Sequence, residues 1–253
     1  MIPLTYPVNS NWISIMDYPP TIMTGGTGFP ASNDWLEAMQ WIKTNTPEDS
    51  VIVSWWDYGY WIQTLGERAT LIDSSTLNDW RIKQIANILL STPNEGWNKL
   101  NEVNADYVVV FVAGQKTDAQ VNGENIYFLV GGGDDSKAPW FVRIAEQPVE
   151  KYVHSDNIHK TDYFWNETLL GQMVPYSTLL YYNEQTKQQS DRYIPGFTAV
   201  HVKDIKYGFN DDTPLQLIYA SPSFNDEESN TPLAVLVYKI NKNYSPQIYP
   251  IQQ

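Results

Sequence analysis

Val51-Ile52-Val53-Ser54 runs straight into Trp55-Trp56-Asp57-Tyr58-Gly59, and this junction constrains the chain more than any other segment. The apolar run reads as a buried strand. Neighbouring side chains on a strand point to opposite faces, so only one of two adjacent tryptophans can be buried in the ordinary way. The chain therefore turns here, with Gly59 relaxing the backbone. The turn sets two indole N–H donors and one carboxylate on a strand-to-helix corner. Such a corner can hold a hydroxyl group: the N–H groups donate to its oxygen and the carboxylate accepts its proton. A Trp-rich core corner with a capping aspartate is the alternative reading of the same residues.

Helices and apolar strands alternate around that corner. Asn33 is a good N-cap for an amphipathic helix through about Thr44, with Trp35, Leu36, Met39, Trp41 and Ile42 as its apolar stripe and Pro47 beyond its end. Residues 57–65 read as helical and stop at Gly66, and 69–73 read as a strand. Helices are predicted at about 78–90 and 94–103. Tyr107-Val108-Val109-Val110-Phe111-Val112 is rich in β-branched residues, as in a buried strand. A further strand is expected at 126–130 and helices at 162–174 and 175–183. Beyond about residue 195 the pattern turns to β, at 197–202, 215–220 and 233–240. This alternation predicts a mixed α/β core with a small, largely parallel sheet flanked by helices, followed by a β-rich C-terminal part. The expected division is an extended Pro/Gly-rich lead-in over 1–32, an α/β core over 33–194, and a β-rich part over 195–253. That last part either packs on the core or forms a small second domain.

Composition narrows the function classes. The 253 residues can bury a full core, and 14% aromatic content, with ten Trp and seventeen Tyr, excludes a disordered chain. The net charge of −13 opposes phosphate backbones and anionic lipid, so nucleic acid is not an expected partner. With no cysteine there is no disulfide, zinc–thiolate site or thiol nucleophile. No apolar run is long enough for a transmembrane helix, and residues 1–4 do not begin a signal peptide.

Other motifs carry less. Gly131-Gly132-Gly133-Asp134-Asp135-Ser136-Lys137 lacks the phosphate-loop spacing, and its aspartates would repel phosphate. His154 and His159 are poorly spaced for a shared metal, and Asp226-Glu227-Glu228 reads as an exposed loop; no metal site is expected in this chain. Asn166-Glu167-Thr168 and Asn243-Tyr244-Ser245 are N-glycosylation sequons. The first lies in a predicted helix beside Phe164 and Trp165 and is expected to be unmodified; the second precedes Pro246.

The word WWDYG resembles the signature of the oligosaccharyltransferase catalytic subunits, membrane enzymes that glycosylate asparagine in Asn-x-Ser/Thr. The resemblance is strongest to the C-terminal globular domain of the archaeal form, AglB. It extends over about residues 15–175. Upstream, Asn33 to Trp41 and the Asn45-Thr46-Pro47 turn are similar to the family. So are Thr70 to Thr76 and Phe164 to Leu170 downstream. Asp134-x-x-Lys137-x-x-x-Phe141 resembles the second family motif, although Phe141 stands where the family has Met or Ile.

The resemblance implies that Trp55, Trp56 and Asp57 bind the hydroxyl of the acceptor Ser or Thr, while Tyr58 and Gly59 are structural. It places Asp134, Lys137 and Phe141 beside that pocket, with Lys137 offsetting the charge of Asp57 and Phe141 an apolar wall. It further implies a multi-span membrane portion ahead of this segment and an extracellular position for this domain. The partners would be an acceptor polypeptide and a lipid-linked oligosaccharide. Mn2+ or Mg2+ would be held by residues outside this chain, so the segment alone would be inactive. The runner-up is a carbohydrate-binding module of a cell-surface protein, which needs exposed aromatics spread over a sheet face. A glycosidase ranks last, since no pair among the 29 acidic residues stands out.

Overall fold

The computed structural model describes residues 21–121, 123–208 and 212–246. In chain order the elements are α1 (Thr21–Thr24), α2 (Asp34–Asn45), β1 (Val51–Val53), a 3-10 turn (Trp56–Tyr58), α3 (Gly59–Thr64), β2 (Ala69–Thr70), α4 (Asp79–Leu90) and α5 (Pro93–Glu102). There follow β3 (Tyr107–Val121), β4 (Glu124–Leu129), α6 (Ala138–Ile144), α7 (Val149–Tyr152), α8 (Asp162–Glu167) and α9 (Leu169–Met173). The remainder comprises β5 (Tyr176–Tyr182), β6 (Gln189–Ser190), β7 (Thr198–Lys203), β8 (Leu215–Ala220), α10 (Pro222–Asn225) and β9 (Leu233–Ile240).

The organising strand is β3. Its first half, Tyr107 to Ala113, is the β-branched run, and Val108 to Ala113 are each at most 1% exposed. Ile52 and Val53 of β1 pair parallel with Tyr107 and Val108. On the other edge β9 runs antiparallel from Lys239 opposite Tyr107 to Leu233 opposite Ala113. Its second half, from Gly114, pairs antiparallel with β4. A Cβ on Gly114 would come within 3.0 Å of the Tyr176 hydroxyl, so the strand passes close under β5. Among the described residues nine strands form one curled mixed sheet, β2-β1-β3-β4-β7-β5-β6, with β9 on β3 and β8 on β9. The α/β reading holds. Parallel pairing is confined to β2-β1-β3, and the other ladders are antiparallel.

Local chemistry sets most boundaries. Thr92 and Glu95 form a reciprocal capping box that starts α5, with Pro93 at its first position. Asn33 was expected to cap α2 with its side chain and does not. Asp34 does the anchoring there: its carboxylate accepts from Ser32 Oγ at 2.6 Å, Ser223 N at 2.9 Å and Ser223 Oγ at 2.7 Å, tying α2 to α10.

Several expected elements differ. The single helix over 162–174 is two, because buried Thr168 ends α8 and caps α9, accepting from Gly171 N at 3.0 Å. The expected helix at 175–183 is strand β5: Tyr176-Ser177-Thr178-Leu179-Leu180-Tyr181-Tyr182 has β-compatible side chains and pairs with β7. The strand at 69–73 shortens to Ala69–Thr70, and the strand ending at Ala113 continues to Val121. Of the lead-in, residues 1–20 lie outside the described residues, and Thr21–Thr24 is helical rather than extended.

Candidate functional site

Strand β1 delivers the corner. Trp55 is extended at φ −64° and ψ 149°, and the next residues close one 3-10 turn through Tyr58 N donating to Trp55 O at 3.2 Å. Trp55 is buried at 3% exposure, while Trp56 and Asp57 are half-buried. The two tryptophans thus take different environments, as the side-chain alternation required. Gly59 was expected to relax the backbone, but its φ of −55° and ψ of −46° are ordinary helical values. It is needed for space: a Cβ there would sit 2.3 Å from Ile72 O and 2.5 Å from Asp73 Cα. That contact brings the loop after β2 against the corner, where Ser74 Oγ donates to Trp56 O at 3.2 Å and lies 3.4 Å from Asp57 O.

The second motif meets the corner alongside β3. Asp134 is docked by two backbone bonds to Phe111: its N donates to Phe111 O at 2.7 Å, and its Oδ2 accepts from Phe111 N at 2.9 Å. Its other oxygen, Oδ1, accepts from the Tyr58 hydroxyl at 2.8 Å. Lys137 Nζ donates to the same hydroxyl oxygen at 2.9 Å and pairs with Asp57 Oδ2 at 2.6 Å. The ammonium also lies 4.7 Å from the Tyr58 ring centroid, a cation–π distance. Asp135 turns the other way and pairs with Lys160 at 3.2 Å. Phe141 is fully buried, its ring 4.1 Å from that of Trp55. Pro139 occupies the first turn of α6, where a missing N–H costs nothing.

Of the sequence-derived candidates, Trp55, Trp56, Asp57, Tyr58, Gly59, Asp134, Lys137 and Phe141 all meet in this one region. Tyr58 was read as structural; it is the group bonded to both Asp134 and Lys137. Ser74, the Phe111 amide and the Asp135–Lys160 pair were not singled out, and no local signal marks them. Burial raises Asp134 to about 6; Lys137, the Phe111 amide and the Tyr58 hydroxyl pull the other way, and Asp57 adds to the rise. Burial, and then Asp134, push the Tyr58 phenol well above its ordinary value, so it remains a proton donor.

What the corner leaves open defines its chemistry. Among the described residues the Trp55 and Trp56 indole N–H groups and Asp57 Oδ1 make no hydrogen bond, and none of the three is sealed from solvent. Two donors and one acceptor are therefore available beside a closed polar network. Among the described residues the exposed large aromatics are Tyr60, Trp80 and Trp140, all on helices. They do not make the aromatic sheet face that a carbohydrate-binding module of the runner-up kind requires. Among the described residues no cluster of three or more His, Asp or Glu could hold a metal ion. No helix among them is long and apolar enough to cross a membrane.

Residues 48–129 match the STT3/PglB/AglB core domain. The matched segment contains the whole corner and β3. A Caenorhabditis elegans relative, the dolichyl-diphosphooligosaccharide–protein glycosyltransferase subunit stt-3, is 28% identical over 223 residues, covering 79% of this chain and 28% of the relative. The Saccharomyces cerevisiae subunit STT3 is 35% identical over 116 residues, covering 45% of this chain and 14% of that protein. The chain thus spans a minor part of the curated relatives it matches. Among solved structures, the C-terminal globular domain of an Archaeoglobus fulgidus oligosaccharyltransferase aligns with a TM-score of 0.44 and 15% identity, over 84% of this chain and 99% of that one.

Proposed function

We propose that this chain is the acceptor-recognition domain of an STT3/PglB/AglB-type oligosaccharyltransferase. The full-length protein would transfer a lipid-linked oligosaccharide to the amide nitrogen of Asn in Asn-x-Ser/Thr. Trp55, Trp56 and Asp57 would bind the Ser or Thr hydroxyl. The observation that carries the reading is the set of open donors and acceptor on Trp55, Trp56 and Asp57, inside the segment matched by the STT3/PglB/AglB core domain. A hydroxyl satisfies both kinds of group at once. An acceptor without it leaves them unpaired, so such a site discriminates strongly.

The archaeal branch, the membrane portion, the extracellular face and the lipid-linked donor rest on sequence resemblance. In this reading Mn2+ or Mg2+ binds outside residues 1–253. At the corner the Asp57 carboxylate is paired with Lys137.

The test is glycopeptide formation by the full-length protein, supplied with lipid-linked oligosaccharide, Mn2+ and either an Asn-x-Thr peptide or its Asn-x-Ala counterpart. Transfer to the first only, with Asp57→Ala reducing acceptor use by about ten- to a hundredfold, is the expected result. Equal use of both peptides, or full activity of Asp57→Ala, would overturn the assignment. Residues 1–253 alone should yield no glycopeptide.

A further inference from the structure

We propose that Tyr58 and Asp134 are positioning residues which, acting through Lys137, hold one oxygen of Asp57 and present the other to the acceptor hydroxyl. The inference rests on the reading of the site given above and adds to it residues that do not touch the acceptor.

The direction of every hydrogen bond in the chain of contacts is fixed by chemistry. An ammonium only donates and an ionised carboxylate only accepts. Tyr58 has one proton, and its phenol does not ionise. Lys137 donates to the Tyr58 oxygen at 2.9 Å, so the Tyr58 proton goes to Asp134 Oδ1 at 2.8 Å. The Phe111 amide occupies Asp134 Oδ2 at 2.9 Å, which pins that carboxylate to the central strand. Each link therefore has one orientation. Its outer end is the Lys137–Asp57 contact at 2.6 Å, made to Oδ2 and leaving Oδ1 open.

A lysine alone would be a poor clamp. Its four-carbon stem is flexible and its charge has no preferred direction. Here the Tyr58 hydroxyl and ring give the ammonium two further contacts on a side chain that is itself 1% exposed. Water cannot readily take the place of a hydroxyl buried this deeply. With Tyr58 cut back to phenylalanine, Lys137 loses its fixed acceptor and Asp57 loses its fixed rotamer.

The arrangement also makes acceptor use depend on the ionisation of Asp134. The groups facing that carboxyl are Tyr58, Lys137, Asp57 and the Phe111 amide. Once Asp134 is protonated, Oδ1 no longer serves as the obligatory acceptor for Tyr58 and the directional order is lost. Its carboxyl lies at about 6, so the order fails as pH falls through that value.

Initial rates of glycopeptide formation by the full-length protein from pH 5 to 8 test this. The wild type is compared with Tyr58→Phe, Asp134→Asn and Asp57→Ala. For Tyr58→Phe we expect KM for the peptide to rise about tenfold while kcat changes by less than about twofold. We expect kcat/KM of the wild type to fall on the acid side with a midpoint near 6, and that limb to be absent in both Tyr58→Phe and Asp134→Asn. If Asp134→Asn does not fold, Tyr58→Phe alone carries both readouts. A Tyr58→Phe enzyme with the wild-type KM, or with the acid limb intact, would overturn the proposal; so would losses confined to kcat, which a smaller folded fraction produces. If Asp57→Ala is fully active, the acceptor-site reading fails first. If Asp57→Ala is impaired but the other two match the wild type, only the positioning role fails.

Discussion

Phe141 packs its ring against that of Trp55, centroids 4.1 Å apart and planes at 48°, with no solvent exposure of Phe141. Helix α6 thereby braces the buried tryptophan of the corner. Phe141 was expected to wall the pocket; the contact its buried ring makes is with Trp55.

Removing that ring should therefore be costly. Phe141→Ala is expected to destabilise the domain by about 3–5 kcal/mol, the range for deleting a buried aromatic without full collapse of the site. Phe141→Met, which introduces the residue type of the motif this segment resembles, keeps most of the volume and should cost less than about 1.5 kcal/mol. Denaturant unfolding of the two variants measures the difference. Equal stability would show that α6 does not support Trp55.

Gly59 gives a prediction of opposite sign to helix propensity. Alanine at a helical position normally gains about 1 kcal/mol over glycine. Here the added methyl would meet Ile72 O at 2.3 Å and Asp73 Cα at 2.5 Å, both backbone atoms that cannot rotate away. Gly59→Ala should lower the thermal midpoint, whereas Gly131→Ala, with nothing within 4 Å, should leave it unchanged. A Gly59→Ala protein as stable as the wild type would remove the close-approach explanation.

The corner, the buried strand at 107–112 and the C-terminal strands were legible because hydrophobic pattern and residue type agree there. The meeting of 55–59 with 134–141 was legible only through family resemblance. No local property of either segment encodes it; both are docked against β3, one through parallel pairing of β1 and the other through the Phe111 backbone. Tyr58 was read as structural, and its bonds to Asp134 and Lys137 were not legible because a hydroxyl's partners follow from tertiary contacts. The helix expected over 175–183 failed for a related reason: Tyr and Leu suit either structure, and the free edge of β7 decided for a strand. The break at Thr168 has a local sign, because threonine competes for backbone hydrogen bonds.

His201 should govern part of the acid sensitivity. It lies on β7 opposite Tyr127, is 4% exposed, and neither ring nitrogen makes a well-formed hydrogen bond, although the Tyr127 backbone lies beside it. Burial, then the charge of Lys160, lowers it from 6.5 to about 3. Above pH 6.5 the imidazole is neutral folded or unfolded. Below that, the unfolded chain binds a proton that the folded chain refuses, so stability falls as pH drops from 6.5 towards 3. His201→Phe removes this term, and its unfolding free energy should decline less steeply across that window. Parallel curves for variant and wild type, from denaturant midpoints at a series of pH values, would refute it.

The sequon Asn166-Glu167-Thr168 should be closed to glycosylation in the folded chain. Asn166 is exposed at the end of α8, so access to its amide is not the obstacle. The obstacle is Thr168, fully buried, whose hydroxyl donates to Phe164 O at 2.6 Å and accepts from Gly171 N at 3.0 Å. A site that reads a sequon through its hydroxyl needs that group free on an extended segment. Freeing it here removes the cap of α9, a change worth about 0.5–2 kcal/mol. It also separates α8 from α9 where Gly171 packs so closely that a Cβ would fall 2.0 Å from Phe164 O. The folded domain, offered to an active oligosaccharyltransferase, should therefore stay unmodified at Asn166, while a synthetic peptide spanning residues 162–172 is glycosylated. Peptide mass spectrometry distinguishes the two. Modification of the folded domain at the rate of the peptide would mean that the Thr168 hydroxyl is released far more readily than its two hydrogen bonds imply.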